Sequence, residues 1–207
     1  MTMATSLRRA IPRPLVDALR SARRGAPEDY ATHPERLAIL PHVRGRTLEV
    51  GCGHRKTSDQ VVGVDLTPGG RRGTVGNAAG QESQADVAAS GEDLPFAAES
   101  FDSVIARHNL EHYIDTAGVL IEWRRVLKPG GTLAVILPDE ENFPTQRGRT
   151  LELDPTHYHG YSMAALGRLV HLVGGFAEMT TEVVVPRWSF MLTATKRSLP
   201  AVAVQDG

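Results

Sequence analysis

Thr47-Leu48-Glu49-Val50-Gly51-Cys52-Gly53 is the stretch that most narrows what this chain can fold into. A largely apolar run leads straight into Gly-x-Gly, the pattern of a strand that turns sharply where backbone must come close to a neighbour or a ligand. Counting this strand as Arg46–Val50, further short apolar runs follow at Val61–Val64, Ala85–Ala89, Phe101–Ala106 and Thr132–Leu137, each bounded by turn residues. Between the fourth and fifth, Ala117, Leu120, Ile121 and Leu127 recur at helical spacing, and Lys128-Pro129-Gly130-Gly131 marks the end of that helix. A second helix is expected from Ser162, a suitable N-cap, to about Val173, where Gly174-Gly175 breaks it. Met179–Val185 and Trp188–Thr195, joined through Pro186-Arg187, then read as a hairpin closing one sheet edge. Strands alternating with helices imply a mostly parallel α/β sheet with helices on both faces.

Charge and length limit the partners. The 207 residues suit one ordinary domain, and a formal net charge of -1 argues against a general nucleic-acid binder. That balance hides an asymmetry: residues 1–46 hold nine arginines against four acids (Asp17, Glu28, Asp29 and Glu35), so the remainder is acidic. Pro14–Arg24 is expected to form a short amphipathic helix packing Leu15, Val16 and Leu19, and residues 1–40 a basic helical cap on a domain running over 41–207. Apolar runs such as Leu133–Leu137 are far too short for a membrane span. The single cysteine, Cys52, excludes an internal disulfide and fits a reducing cytoplasm.

The chemistry starts at the glycine turn. A dinucleotide site would place a third glycine where Lys56 stands, and an acid roughly 20 residues on; here the strand-terminal acid Asp65 follows Gly53 by only 12. His54–Gln60 is too short and polar for a full crossover helix, so a pyrophosphate cradle at a helix N-terminus is poorly developed. A nucleoside joined to an amino acid asks less of such a cradle, with Asp65 able to accept from both ribose hydroxyls.

Six ordered blocks then carry a resemblance. They are Glu49–Gly53, Val62–Asp65, Glu92–Phe96, Ser100–Val104, His108–His112 and Arg125–Leu133. Together they resemble the class I S-adenosylmethionine-dependent methyltransferases, especially small bacterial ones with a methyltransferase type 11 core. The resemblance implies a Rossmann-like seven-stranded, mostly parallel sheet with the last strand antiparallel, and S-adenosyl-L-methionine as cofactor. It places Glu49, Gly51, Cys52 and Gly53 at the methionine part, Asp65 at the ribose and Leu66 beside the adenine. Ser90 stands where the family often has an acid reading the adenine, so Gly91, Glu92 or their backbone would do that work. Arg107 would be a further cofactor contact, and His108 would stand near the sulfonium and the acceptor. Asp86 is expected to be structural, and Gly69–Gly80, an insertion the family usually lacks, is expected to form a mobile loop near the ribose.

Methyl transfer to a hydroxyl or protonated amine also needs a base, and histidine suits that task. The candidates are His108, His112 and His157; the long loop Pro138–Gly160 and its end offer His157, Tyr158, His159 and Tyr161 as acceptor contacts. Asp139, Asp154, His157 and His159 have a suggestive but unspecific ligand spacing, so no metal is assigned. Cys52, Trp123 and Trp188 are read as packing residues and Arg124-Arg125 as a solvated helix face. The expected function is methylation of a small molecule: a sugar, a lipid-linked intermediate or a natural product. A cofactor-binding protein without turnover and a nicotinamide-dependent oxidoreductase are the alternatives.

Overall fold

A computed structural model describes residues 30–74, 78–142 and 156–198. The helix expected over Pro14–Arg24 lies outside them, as does Asp154. The chain divides into two compact units after His33; of the first, only residues 30–33 are described. The second begins with a short helix, α1 (Pro34–Ile39), and continues through β1 (Thr47–Val50), β2 (Val62–Asp65), β3 (Val87–Ala88), β4 (Phe101–Arg107), α2 (Thr116–Val126), β5 (Leu127–Pro138), α3 (Met163–Val173), β6 (Phe176–Val185) and β7 (Ser189–Lys196).

The seven strands form one sheet in the order β3-β2-β1-β4-β5-β7-β6. The pairs from β3 to β5 are parallel, and β7 runs antiparallel to both its neighbours. The topology agrees with the expected sheet. Burial explains the strand sequences. All four residues of central β1 are buried, whereas six consecutive residues of edge strand β6, Glu178–Val183, are exposed. In β5 the alternation sorts the two faces: Leu133, Val135 and Leu137 join the core under α2 and α3, while Ala134 and Ile136 join the core containing Ile39 of α1.

Local chemistry sets the element ends. Asp115 caps α2 by accepting from the Gly118 amide, and Ser162 caps α3 by accepting from the Ala165 amide. Arg124 and Arg125 are not a solvated face. Arg124 donates to the carbonyls of Val173 and Gly174 at the end of α3, and Arg125 to those of Leu94 and Phe96, because each guanidinium lies against carbonyls that helix or strand bonds leave open. Leu127 belongs to β5 rather than to the helix: it pairs with Phe101, and the Pro-Gly-Gly segment is absorbed as an irregularity before Ser103 pairs with Thr132. Trp123 is fully buried with its indole N–H bonded to the Gly91 carbonyl. Trp188, expected to pack, is instead 44 % exposed at the β6–β7 turn.

No helix is described between β1 and β2, in keeping with the short His54–Gln60 connection. The Gly69–Gly80 insertion folds back on itself, with bridges from Arg72 to Glu82 and from Gly73 to Ala79. Its base reaches the glycine turn, since the Gln84 amide donates to the Gly53 carbonyl and the Gln84 side chain accepts from the Lys56 amide.

Candidate active site

The site lies at the carboxyl ends of β1, β2 and β4, where an open parallel sheet presents its ligand crevice. Leaving β1, the amides of Gly51 and Cys52 both donate to the Val64 carbonyl, which bends the chain over the end of β2. Gly51 has φ +71°, and a Cβ there would stand 2.1 Å from Asn109 Nδ2. Gly53 also takes a left-handed φ, +52°, yet nothing lies within 4 Å of where its Cβ would be. One glycine is required by packing; the other faces open space.

Two carboxylates hold this turn. Glu49 is buried, its Oε2 accepting from the Thr57 amide at 2.7 Å and its Oε1 from the Thr57 hydroxyl at 2.8 Å and Arg107 Nη2 at 3.1 Å. The segment that returns from the glycine turn is thus pinned where a crossover helix would otherwise stand. Asp65 is partly exposed and accepts from the Gly53 amide at 3.0 Å and the Thr67 amide at 2.9 Å. Each of its oxygens takes one such bond, and a carboxylate oxygen can accept two. Asp86 is structural as expected, accepting from the Gly63 amide and Lys56 Nζ, both at 2.7 Å. Burial, followed by the charge of Glu49, pushes the Cys52 thiol up to about 12, so it is no nucleophile.

The adjoining surface pairs an uncovered apolar side chain with a tightly packed glycine. Leu66 is 75 % exposed beside Asp65, an apolar side chain left uncovered at a strand end. Gly91 is buried; a Cβ there would meet the Tyr113 hydroxyl at 2.4 Å and Val50 Cγ1 at 2.7 Å. The Tyr113 hydroxyl donates to Asn109 Oδ1 at 3.0 Å, and burial pushes its ionisation up to about 12. The Ser90 hydroxyl accepts from the Glu92 amide at 3.2 Å, leaving the exposed Glu92 carboxylate at the rim.

Beyond β4 lies a histidine cluster. His108 has φ +47°, a conformation that side chains rarely adopt. Its Nε2 is 2.9 Å from Glu35 Oε1 and its Nδ1 3.7 Å from Glu111 Oε1. Burial alone would lower its pKa, but the carboxylates of Glu111 and Glu35 outweigh that and raise it to about 10, so the ring is charged at neutral pH. Glu111 is 1 % exposed, and neither of its carboxylate oxygens has a hydrogen-bond partner among the described residues. His157 Nε2 stands 4.0 Å from Glu111 Oε1, and the His112 and His157 rings meet edge-on with centroids 4.7 Å apart. Backbone holds the cluster: the amides of Tyr158 and His159 donate to the Glu111 carbonyl at 2.9 and 3.3 Å.

Residues 48–135 match the family model described as a methyltransferase domain. A probable S-adenosylmethionine-dependent methyltransferase from Mycolicibacterium smegmatis is 30 % identical over 144 residues, covering 66 % of this chain and 54 % of that one. A ubiquinone/menaquinone biosynthesis C-methyltransferase from Geobacter sulfurreducens is 31 % identical over 153 residues, 67 % of this chain and 57 % of that one. The crystal structure of an S-adenosylmethionine-dependent methyltransferase from Thermotoga maritima, described as a possible histamine N-methyltransferase, superposes with a TM-score of 0.61 at 21 % identity, covering 89 % of this chain and 96 % of that one. Residues 48–135 belong to the methyltransferase-domain family, and the chain is similar to S-adenosylmethionine-dependent methyltransferases. The chain spans little more than half the length of the two sequence relatives.

The residues at this turn suit S-adenosylmethionine. The uncovered face of Gly53, the spare accepting capacity of Asp65 and the exposed Leu66 leave room and bonding for a nucleoside–amino acid ligand. Of the residues named from sequence, Gly51, Cys52, Gly53, Asp65, Leu66, Ser90, Gly91 and Glu92 surround or support this crevice. Glu49 and Arg107 are bonded to each other within the protein beneath it. His108, His112 and His157 come together in one cluster, whereas Tyr158 is 58 % exposed, His159 bonds the Ile114 carbonyl, and Tyr161 is packed in the core. Glu35, Thr57, Asn109 and Tyr113 were not singled out by sequence. Glu35 lies 73 positions from its partner His108, within an arginine-rich stretch whose acids look like mere charge balance.

Proposed function

We propose that this methyltransferase acts on a small molecule whose nucleophilic atom is held beside the His108–Glu111–His157 cluster. The supporting observation is adjacency. Asn109, next to His108 in sequence, lies against Gly51 of the cofactor turn, and Arg107 joins the end of β4 to Glu49 of β1. S-adenosylmethionine supplies a methyl carried by positive sulfur, which leaves with the carbon–sulfur electron pair as the acceptor's lone pair forms the new bond. The chain's part is to align, to exclude water and to receive the acceptor's proton. Glycine turn and Asp65 hold the donor. Both ring nitrogens of His108 face carboxylates, so His108 orients the acceptor and the proton goes to His112 or His157.

The quinone-pathway relative supports a small acceptor. No helix among the described residues is long and apolar enough to cross a membrane; a cytoplasmic location is part of the proposal. The test is transfer of labelled methyl from S-adenosylmethionine to a panel of quinone precursors, sugars and lipid-linked intermediates, alongside calorimetry with S-adenosylhomocysteine. Transfer to one class, lost in His157→Ala while S-adenosylhomocysteine affinity stays within about twofold, is the expected result. Tight binding with no transfer to any of them refutes the reading, as does stabilisation by NADH alone.

A further inference from the structure

Glu111, His112 and His157 form a second constellation inside the cluster, distinct from the cofactor crevice. One donor atom from each lies within 4.8 Å of the others. We propose that these three residues bind a first-row divalent transition cation of the zinc class.

Three observations carry this. The first is the state of Glu111. A carboxylate that is 1 % exposed loses its hydration, and buried charges are ordinarily paired, hydrogen-bonded or bound to metal. Neither oxygen of Glu111 has a hydrogen-bond partner among the described residues, and the imidazoles facing it stop short: His108 Nδ1 at 3.7 Å and His157 Nε2 at 4.0 Å. His108 Nε2 in turn lies 2.9 Å from Glu35 Oε1, so one imidazole is set between two acids. The second is the orientation of His112. Its Nδ1 lies 3.0 Å from the Thr156 carbonyl and 3.1 Å from the Thr156 hydroxyl. With Nδ1 anchored on Thr156, Nε2 is the nitrogen left to meet other partners, and metal-bound imidazoles are commonly oriented through their second nitrogen in this way. The third is the donor set itself. Two imidazoles and a carboxylate suit zinc or ferrous iron rather than magnesium or calcium, which prefer all-oxygen shells.

The dimensions fit a site that closes on binding. Metal–ligand bonds of about 2.1 Å in a tetrahedron set donors about 3.4 Å apart, so the 4.0 Å gap between His157 and Glu111 needs to shrink by about 0.6 Å. Three protein ligands leave a coordination position open. On the proposed acceptor reading, which this use of the metal rests on, that position takes the acceptor oxygen. With the cation bound, its charge favours loss of the acceptor's proton to solvent, and His112 and His157 receive it only in the cation-free cluster. Cation binding itself does not depend on that reading.

The experiment uses the untagged full chain, stripped with a chelator and titrated with Zn2+ by calorimetry and with Co2+ by visible absorption. One equivalent is expected, with a cobalt spectrum of low coordination number. His157→Ala and Glu111→Gln should each weaken Zn2+ binding at least tenfold, whereas His171→Ala, on the exposed side of α3, should leave it unchanged. Should the buried Glu111 variant misfold, His157→Ala carries the test, with S-adenosylhomocysteine affinity reporting that the fold is intact. Absence of stoichiometric binding, or binding indifferent to His157→Ala, overturns the proposal. Stoichiometric binding in a chain that methylates nothing would sustain the metal site and sink the acceptor reading.

Discussion

Adding one methyl group at Gly53 separates ligand space from packing space. The φ of +52° makes alanine there cost about 1–2 kcal/mol of backbone strain. No heavy atom lies within 4 Å of the new Cβ, so no steric cost is added inside the protein. For a chain of this size that loss lowers Tm by roughly 2–8 °C. Gly51→Ala carries the same strain and also drives its Cβ to 2.1 Å from Asn109 Nδ2, an overlap that typically adds about 1–3 kcal/mol. Gly51→Ala should therefore be clearly the less stable of the two in urea denaturation. Affinity for S-adenosylhomocysteine should show its own effect: the Gly53 methyl intrudes where the ligand's amino acid portion belongs, and a clash of about 1.4 kcal/mol already weakens binding tenfold. We expect at least that in calorimetry. Wild-type affinity in a folded Gly53→Ala protein would refute the assignment of this space to the cofactor.

Two further outcomes follow from the carboxylates. Glu49→Gln places an amide against the Thr57 donors and removes the charge that Arg107 Nη2 meets at 3.1 Å, so unfolding free energy should fall by about 2–4 kcal/mol in urea; a loss under about 0.5 kcal/mol contradicts the pinning role. For Asp86, burial acts to raise the carboxyl pKa, but the hydrogen bonds from Lys56 and the Gly63 amide outweigh it and hold the pKa below the ordinary value. A depressed folded pKa stabilises above the unfolded value of about 3.9 and ceases to do so as pH falls through the folded one. Wild type should thus exceed Asp86→Asn in stability at pH 6–7, modestly because the side chain is half exposed, and the gap should narrow below about pH 4. A gap independent of pH in thermal melts would contradict this.

The strands were legible because burial on both faces writes itself as short continuous apolar runs, as in Val104–Ala106 and Leu133–Leu137. Leu127 misled because a buried residue just past a helix has the same spacing as the last one within it, and only pairing with Phe101 distinguishes them. The arginines of α2 misled because charge in a helix reads as solvation, whereas their targets are carbonyls up to 50 positions away. In the site, Asp65 was readable from its place at a strand end. Glu111 was quoted within a motif, yet nothing local told that its carboxylate would be buried beside three histidines. That arrangement depends on residues 156–159 returning to the turn at Leu110–His112, a long-range backbone contact with no periodic trace.

The backbone at His108 bears on how such an enzyme tolerates change. A left-handed φ of +47° is the natural territory of glycine, which would relax that strain. A chain needing only a turn after β4 would be steadier with the smaller residue. Keeping imidazole there trades conformational ease for a charge set between Glu35 and Glu111, so stabilisation and performance pull this one position in opposite directions.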